Sequence, residues 1–116
     1  MAHDQQKVDD TIEAIRAADG TAIGLMADVS DSLQVNQLVA RSKEAVGAIN
    51  IAVSNVGIRH RMPFETITHE DWNRVLSTNL SPSFYLARAV IPDMKADGFG
   101  RIILMSGYDG FFCHIP

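Results

Sequence analysis

Apolar residues recur along the chain with two spacings, which alternate between helix-like and strand-like segments. Residues 5–18 are helix-like, because their apolar positions fall three or four apart at Val8, Ile12 and Ile15. Residues 22–27 follow as a short, almost continuous apolar run, which is typical of a buried strand. The chain therefore opens with a predicted helix and a predicted strand.

A second helix and a second strand are predicted in the same way. Asp31 suits a helix N-cap, and Gln34 three residues later predicts a capping box at the start of a helix that extends to Gly47. Residues 49–53 form another apolar run without alternation, which predicts a strand buried on both faces.

The third helix is predicted to be long and kinked. Thr68 suits its N-cap, with Asp71 at the third position, and apolar residues continue at helical spacing to Lys95. Pro82 lies inside this segment, and its missing N–H removes the bond to the carbonyl of Thr78, so we expect a kink near Asn79. Residues 101–106 then predict the third strand.

The resulting order α-β-α-β-α-β predicts an α/β fold, a partial doubly wound sheet of three parallel strands alternating with helices. Ligands of such sheets bind at the carboxyl ends of the strands. In this chain those ends carry polar residues and glycines: Asp28, residues 54–57, and Ser106 with Gly107.

Composition narrows the function classes. The chain has 116 residues, of which 47% are hydrophobic, and a net charge of −4, which argues against nucleic acid or an anionic membrane as partner. No apolar run approaches the roughly 18 residues that span a bilayer. The single cysteine, Cys113, cannot form an internal disulfide, which favours a reducing, cytoplasmic location. The four histidines show no metal-binding spacing, so we expect no metal site.

Four motifs in order give the chain a family resemblance. It resembles the central part of classical short-chain dehydrogenases/reductases, whose Rossmann-type sheet carries these motifs at similar spacings. The matching segments are Asp28-Val29-Ser30-Asp31, Ser54-Asn55-Val56-Gly57, Thr68 to Trp72 with Asn79-Leu80, and Gly100 to Ile103. On this resemblance residues 1–116 are the central portion of a Rossmann domain, truncated relative to the family.

The resemblance implies an oxidoreductase that binds NAD or NADP and moves a hydride between the nicotinamide and an alcohol or ketone. By position, Asp28 is expected to accept the adenine amino group, and the backbone N–H of Val29 to pair with a ring nitrogen. The backbone of Asn55, Val56 and Gly57 is expected to line the adenosine ribose, which requires small residues.

The resemblance also implies catalytic residues, with departures. Asn79 is expected to hold a water of a proton relay, and Ser106 lies near the position of the family's catalytic serine. Counted without gaps from Asn79, however, that serine falls on Gly107, one residue later. The 116 residues contain neither the family's glycine-rich phosphate loop nor its Tyr-x-x-x-Lys pair, so we expect no turnover by this chain alone.

Other interpretations stay open at this point. Asp28 also suits a simple turn residue, Asn79 a polar residue at a proline kink, and Ser106 a structural serine. The chain as a whole also fits a non-catalytic, truncated module that associates through the segment from Thr68 to Lys95, which is the family's usual dimer-forming helix. A homo-oligomer is therefore expected under either interpretation.

Overall fold

A computed structural model describes residues 5–59 and 61–107. Five elements are helical and two are strands. In chain order they are α1 Gln5–Ala17, α2 Ser32–Val46, β1 Ile51–Ser54, a 3-10 turn Phe64–Thr66, α3 His69–Asn79, α4 Ser81–Ala96 and β2 Arg101–Leu104.

The two strands form a parallel sheet, in agreement with the predicted α/β class. β1 and β2 pair from Ile51 opposite Arg101 to Ser54 opposite Leu104. The ladder extends by one bond at its carboxyl end, where the Met105 N–H donates to the Ser54 carbonyl at 2.9 Å. Parallel pairing brings the carboxyl ends of both strands to the same edge, as the sequence predicts.

Helices α2 and α4 cover one face of the sheet. The buried core consists of Val39 from α2, Ala52 from β1, and Val90 and Met94 from α4. Burial alternates strictly along β1, so Ala52 and Ser54 face the helices while their neighbours face outward.

The other sheet face is exposed in the described structure. Ile51, Val53 and Ile103 leave 58%, 55% and 46% of their surfaces accessible. The sequence predicted burial on both faces of this strand, and only the helix-facing half of that prediction is confirmed.

The predicted strand at residues 22–27 is wrong. This segment forms no ladder with another strand in the described part of the chain, and the sheet there has two strands rather than three. It packs against α1 instead, since a Cβ placed on Gly24 would lie 2.4 Å from Val8 Cγ1 and 2.7 Å from Ile12 Cδ1. The predicted burial is not found either, since Ile23 and Met26 leave 40% and 41% of their surfaces exposed. A buried strand needs a neighbouring strand beside it.

The prediction of a single kinked helix is also wrong, because two separate helices occupy this segment. α3 ends at Asn79 and α4 begins at Ser81, with Leu80 between them. Pro82 lies in the first turn of α4, where its missing N–H costs no helical hydrogen bond. The proline therefore starts a helix instead of bending one.

Both predicted N-caps, Thr68 of α3 and Asp31 of α2, are confirmed, but the capping box predicted at α2 is found at α3. Thr68 and Asp71 form the full reciprocal capping box of α3, with the Asp71 N–H donating to Thr68 Oγ1 at 3.0 Å. Asp31 caps α2 by accepting from the Leu33 N–H at 2.8 Å. Gln34, however, does not return to the Asp31 backbone, so the predicted box at α2 is incomplete.

Candidate functional site

The end of α3 is tied to the loop that follows β1 by one side-chain amide. The Ile58 N–H donates to Asn79 Oδ1 at 2.7 Å, and Asn79 Nδ2 donates to the Ile58 carbonyl at 2.9 Å. The amide thus pairs with both backbone groups of a residue 21 positions earlier, much as a neighbouring strand would. This pair, called the amide clamp below, places Asn79 beside the carboxyl end of β1.

The clamp fixes the end of a short backbone segment that faces solvent. Asn55, Val56 and Gly57 are all exposed, and they lie between β1 and the clamped residue. A Cβ placed on Gly57 would meet only the Asn79 amide, at 3.6 Å and 3.8 Å, which is ordinary contact. The protein itself therefore does not require a glycine there, and the open backbone leaves room for a ligand to approach closely.

Asp28 belongs to a separate turn ahead of α2. Its Oδ1 accepts from the Ser30 N–H at 2.9 Å and from Ser30 Oγ at 2.7 Å. The hydroxyl bond, and then the backbone bond, lower the pKa of the Asp28 carboxyl below its ordinary value of 3.8. At neutral pH this side chain is therefore ionised and acts only as a hydrogen-bond acceptor.

The carboxyl end of β2 carries Ser106 and Gly107, and both are exposed. A Cβ on Gly107 would meet no atom within 4 Å, so a side chain is sterically possible at either position. No hydrogen bond joins Ser106 to Asn79 within the residues that the structure describes. Ser106 therefore still lies one residue before Gly107, the position on which the family's serine falls when counted from Asn79.

The structure unites some of the predicted residues and leaves others apart. Asn79 meets the Asn55–Gly57 segment through the amide clamp, whereas Asp28 and Val29 sit in their own turn. Sequence reasoning missed the Ile58 backbone as partner of Asn79, because that contact spans 21 residues. It also missed Ser30 as the partner of Asp28, although a serine two residues after an aspartate is a usual local signal.

Some sequence predictions fall on positions outside the described residues. Tyr108, Phe111 and Phe112, aromatic residues whose sequence position fits either a substrate pocket or internal packing, are among them, as are Cys113 and three of the four histidines. Among the helices that the structure describes, none is long and apolar enough to cross a membrane.

Comparison with known proteins gives consistent matches across most of the chain. Residues 1–114 match the family model described as short chain dehydrogenase. D-beta-hydroxybutyrate dehydrogenase of Rhizobium meliloti is 32% identical over 100 residues, which are 86% of this chain and 39% of that protein. The dehydrogenase LinX of Sphingobium indicum, named for 2,5-dichloro-2,5-cyclohexadiene-1,4-diol, is 34% identical over 87% of this chain and 40% of its own length.

Solved structures match over the same region. A Burkholderia xenovorans protein described as a short-chain dehydrogenase/reductase superposes with a TM-score of 0.87 at 32% identity, covering 95% of this chain and 44% of its own. The 2-keto-3-deoxy-D-gluconate dehydrogenase of Streptococcus agalactiae gives a TM-score of 0.77 at 33% identity, covering 90% and 39%. The chain thus spans about two fifths of the length of the curated relatives it matches.

Proposed function

Because this chain belongs to the short-chain dehydrogenase family, we propose that it is the central portion of a Rossmann domain in an NAD(P)-dependent oxidoreductase. The reaction is hydride transfer between a nicotinamide cofactor and a small alcohol or ketone. The observation that carries this proposal is the amide clamp, which joins the proposed catalytic Asn79 to the proposed ribose-binding segment at the carboxyl end of a parallel strand.

The residues present suit the adenosine half of such a cofactor. Asp28 offers an ionised carboxylate to the adenine amino group, and the Val29 N–H pairs with the adenine ring. The exposed backbone of Asn55, Val56 and Gly57 approaches the ribose, and the open space at Gly57 supports that role. When bound, the nicotinamide supplies or accepts the hydride.

The catalytic roles rest on two side chains. Both polar atoms of the Asn79 side chain are hydrogen-bonded to Ile58. We therefore propose that the backbone carbonyl of Asn79 holds the relay water, and that the clamp keeps this backbone in place. Ser106 is proposed to orient the substrate oxygen by hydrogen bonding. The family's Tyr-x-x-x-Lys pair and glycine-rich loop are not among the 116 residues, and we propose that full catalysis needs both.

The adenosine contacts can be tested by titrating the chain with adenosine and following its backbone amides by NMR. We expect shifts at Asp28, Val29 and the 55–57 segment, and weaker binding in Asp28→Asn. Asp19→Asn, which removes an exposed carboxylate elsewhere, is the matched control and should bind as the wild type does. Shifts confined to other residues, or equal binding by Asp28→Asn, would overturn the assignment.

Turnover is a separate test. Lacking the tyrosine–lysine pair, the 116-residue chain should not oxidise NADH or NADPH in the presence of a carbonyl substrate. Oxidation above the rate of a boiled sample would contradict the proposed need for that pair.

A non-catalytic role in association is the second candidate, and one surface favours it. Leu80, directly before α4, and Phe84 and Ile91 within it leave 65%, 61% and 38% of their surfaces exposed. An apolar stripe of this kind on a helix is typical of a subunit contact. We propose that the chain forms a homo-oligomer through α3 and α4, and that it works in the cytoplasm, as its lone cysteine suggests.

Sedimentation of Phe84→Glu against the wild type tests this contact. The variant should dissociate at concentrations where the wild type associates. Leu33→Glu, at a residue 68% exposed on α2, is the control and should leave the oligomer intact. A monomeric wild type would refute the oligomer, and hetero-oligomers with an intact relative without turnover would favour the non-catalytic role.

A further inference from the structure

The side-chain amide of Gln34 links the Asp28 turn to the first turn of α2. The Asp28 N–H donates to Gln34 Oε1 at 2.8 Å, and Gln34 Nε2 donates to Asp31 Oδ2 at 3.2 Å. Both ends of the amide are therefore used, one on the turn and one on the cap of the helix.

The helix at one end of this link is firmly placed. Val35, the neighbour of Gln34, is only 2% exposed, and Val39 one turn later is 6% exposed in the core. The Val35 N–H donates to the Asp31 carbonyl at 3.0 Å, which closes the first helical turn. A side chain that starts from this turn therefore has a fixed origin.

The turn at the other end has less support, since one backbone bond, from the Asp31 N–H to the Asp28 carbonyl at 3.2 Å, joins it to the cap of α2. Among residues 5–59 and 61–107, the segment 22–27 pairs with no other strand, so no ladder there fixes the chain that leads into Asp28. Within the turn, Asp28 Oδ1 is occupied by two bonds from Ser30, which leaves Oδ2 as the oxygen to accept from a ligand. Ser30 orients the carboxylate relative to its own turn, and Gln34 orients that turn relative to the fold.

We infer that Gln34 is a positioning residue for adenine recognition, because its amide fixes the backbone of Asp28, and with it that of Val29, on the first turn of α2, which the buried Val35 holds in place. The inference rests on the proposed function, since it assigns adenine to this turn. A residue that merely caps α2 would stabilise the helix without changing the affinity for adenine.

The test compares Gln34→Met with Gln37→Met. Methionine keeps the length of the side chain and suits a helix, but it cannot form either hydrogen bond. Gln37 is exposed on the same helix, so its variant controls for the loss of a glutamine from α2. Adenosine affinity is measured by NMR titration at matched folded fraction, with cytidine as the base control, and Asp28 amide exchange is measured without ligand.

Gln34→Met should bind adenosine about three- to ten-fold more weakly, the range expected when one hydrogen bond that orders a site is lost. Its Asp28 amide should exchange faster, while Gln37→Met should match the wild type in both measurements. Unchanged adenosine affinity in Gln34→Met would overturn the inference and leave the proposed function standing. A wild type that binds adenosine no better than cytidine would overturn both.

Discussion

Removing the amide clamp tests whether the geometry around Asn79 is held by that side chain. In Asn79→Ala both bonds to Ile58 are lost, each with a net value of about 0.5–1.5 kcal/mol. Asn79 is exposed, so water can replace part of what is lost. We therefore expect the free energy of unfolding to fall by about 1–2 kcal/mol, toward the lower end of that sum.

Two further variants separate the clamp from the helix that carries it. Alanine is the better helix former by up to about 0.7 kcal/mol, which partly offsets the loss. Asn73→Ala, at an exposed position of α3, measures that gain alone and should be neutral or slightly stabilising. Asn79→Asp keeps the acceptor for the Ile58 N–H but turns the donor into an oxygen facing the Ile58 carbonyl. It should be at least as destabilising as Asn79→Ala, although its shape hardly changes.

Urea unfolding gives the global change, and native-state amide exchange gives the local one. The Ile58 amide should exchange roughly ten-fold faster in Asn79→Ala, the factor that corresponds to about 1.4 kcal/mol. The reasoning is refuted if Asn79→Ala and Asn73→Ala unfold alike and the Ile58 amide keeps its protection. In that case the two short distances would reflect proximity without stabilisation.

Three other changes have clear expected outcomes. Gly100→Ala should lower the free energy of unfolding by about 1–3 kcal/mol, because its Cβ would lie 2.5 Å from Met94 Cγ and Sδ in the core; in a Met94→Ala background, urea titration should show a smaller loss. Ser30→Ala should raise the pKa of Asp28 toward 3.8, measured by carbon NMR of the carboxyl. In the wild type the carboxylate should persist below pH 3.8 and disappear only as pH falls through the lowered pKa. Gly57→Ala should fold normally by circular dichroism yet bind adenosine more weakly, and unchanged affinity would remove that backbone from the site.

The features predicted correctly from the sequence are those decided within a few residues. Thr68 caps the helix as predicted, with Asp71 at its third position, because both bonds of this pair lie inside one turn. The failure at residues 22–27 has the opposite origin, since a ladder depends on a second strand that a local pattern does not contain. Pro82 lies between these cases: one rule for proline predicts a kink and another a helix start, and Leu80 outside both helices shows that the second applies.

The same distinction explains what the sequence could show of the candidate site. Position and residue type pointed to Asn79 and Asp28, but their partners depend on tertiary structure: Ile58 is 21 residues from Asn79, and Gln34 is six residues beyond Asp28. Gln34 illustrates the limit well, because a glutamine at the third helical position suits a capping box, and only the path of the preceding chain decides that it bonds Asp28 instead.

These partners also explain how the site loops are held while one face of the sheet lies open. The amide clamp joins its loop to α3, and Gln34 joins its turn to α2, whose Val35 is buried and whose Val39 packs in the core on the covered face. Neither link uses Ile51, Val53 or Ile103, which make up the exposed face. Covering that face should therefore raise the stability of the sheet and leave the geometry of both loops almost unchanged, so local exchange at Ile58 and Asp28 reports on the site, whereas global unfolding also reports on the sheet.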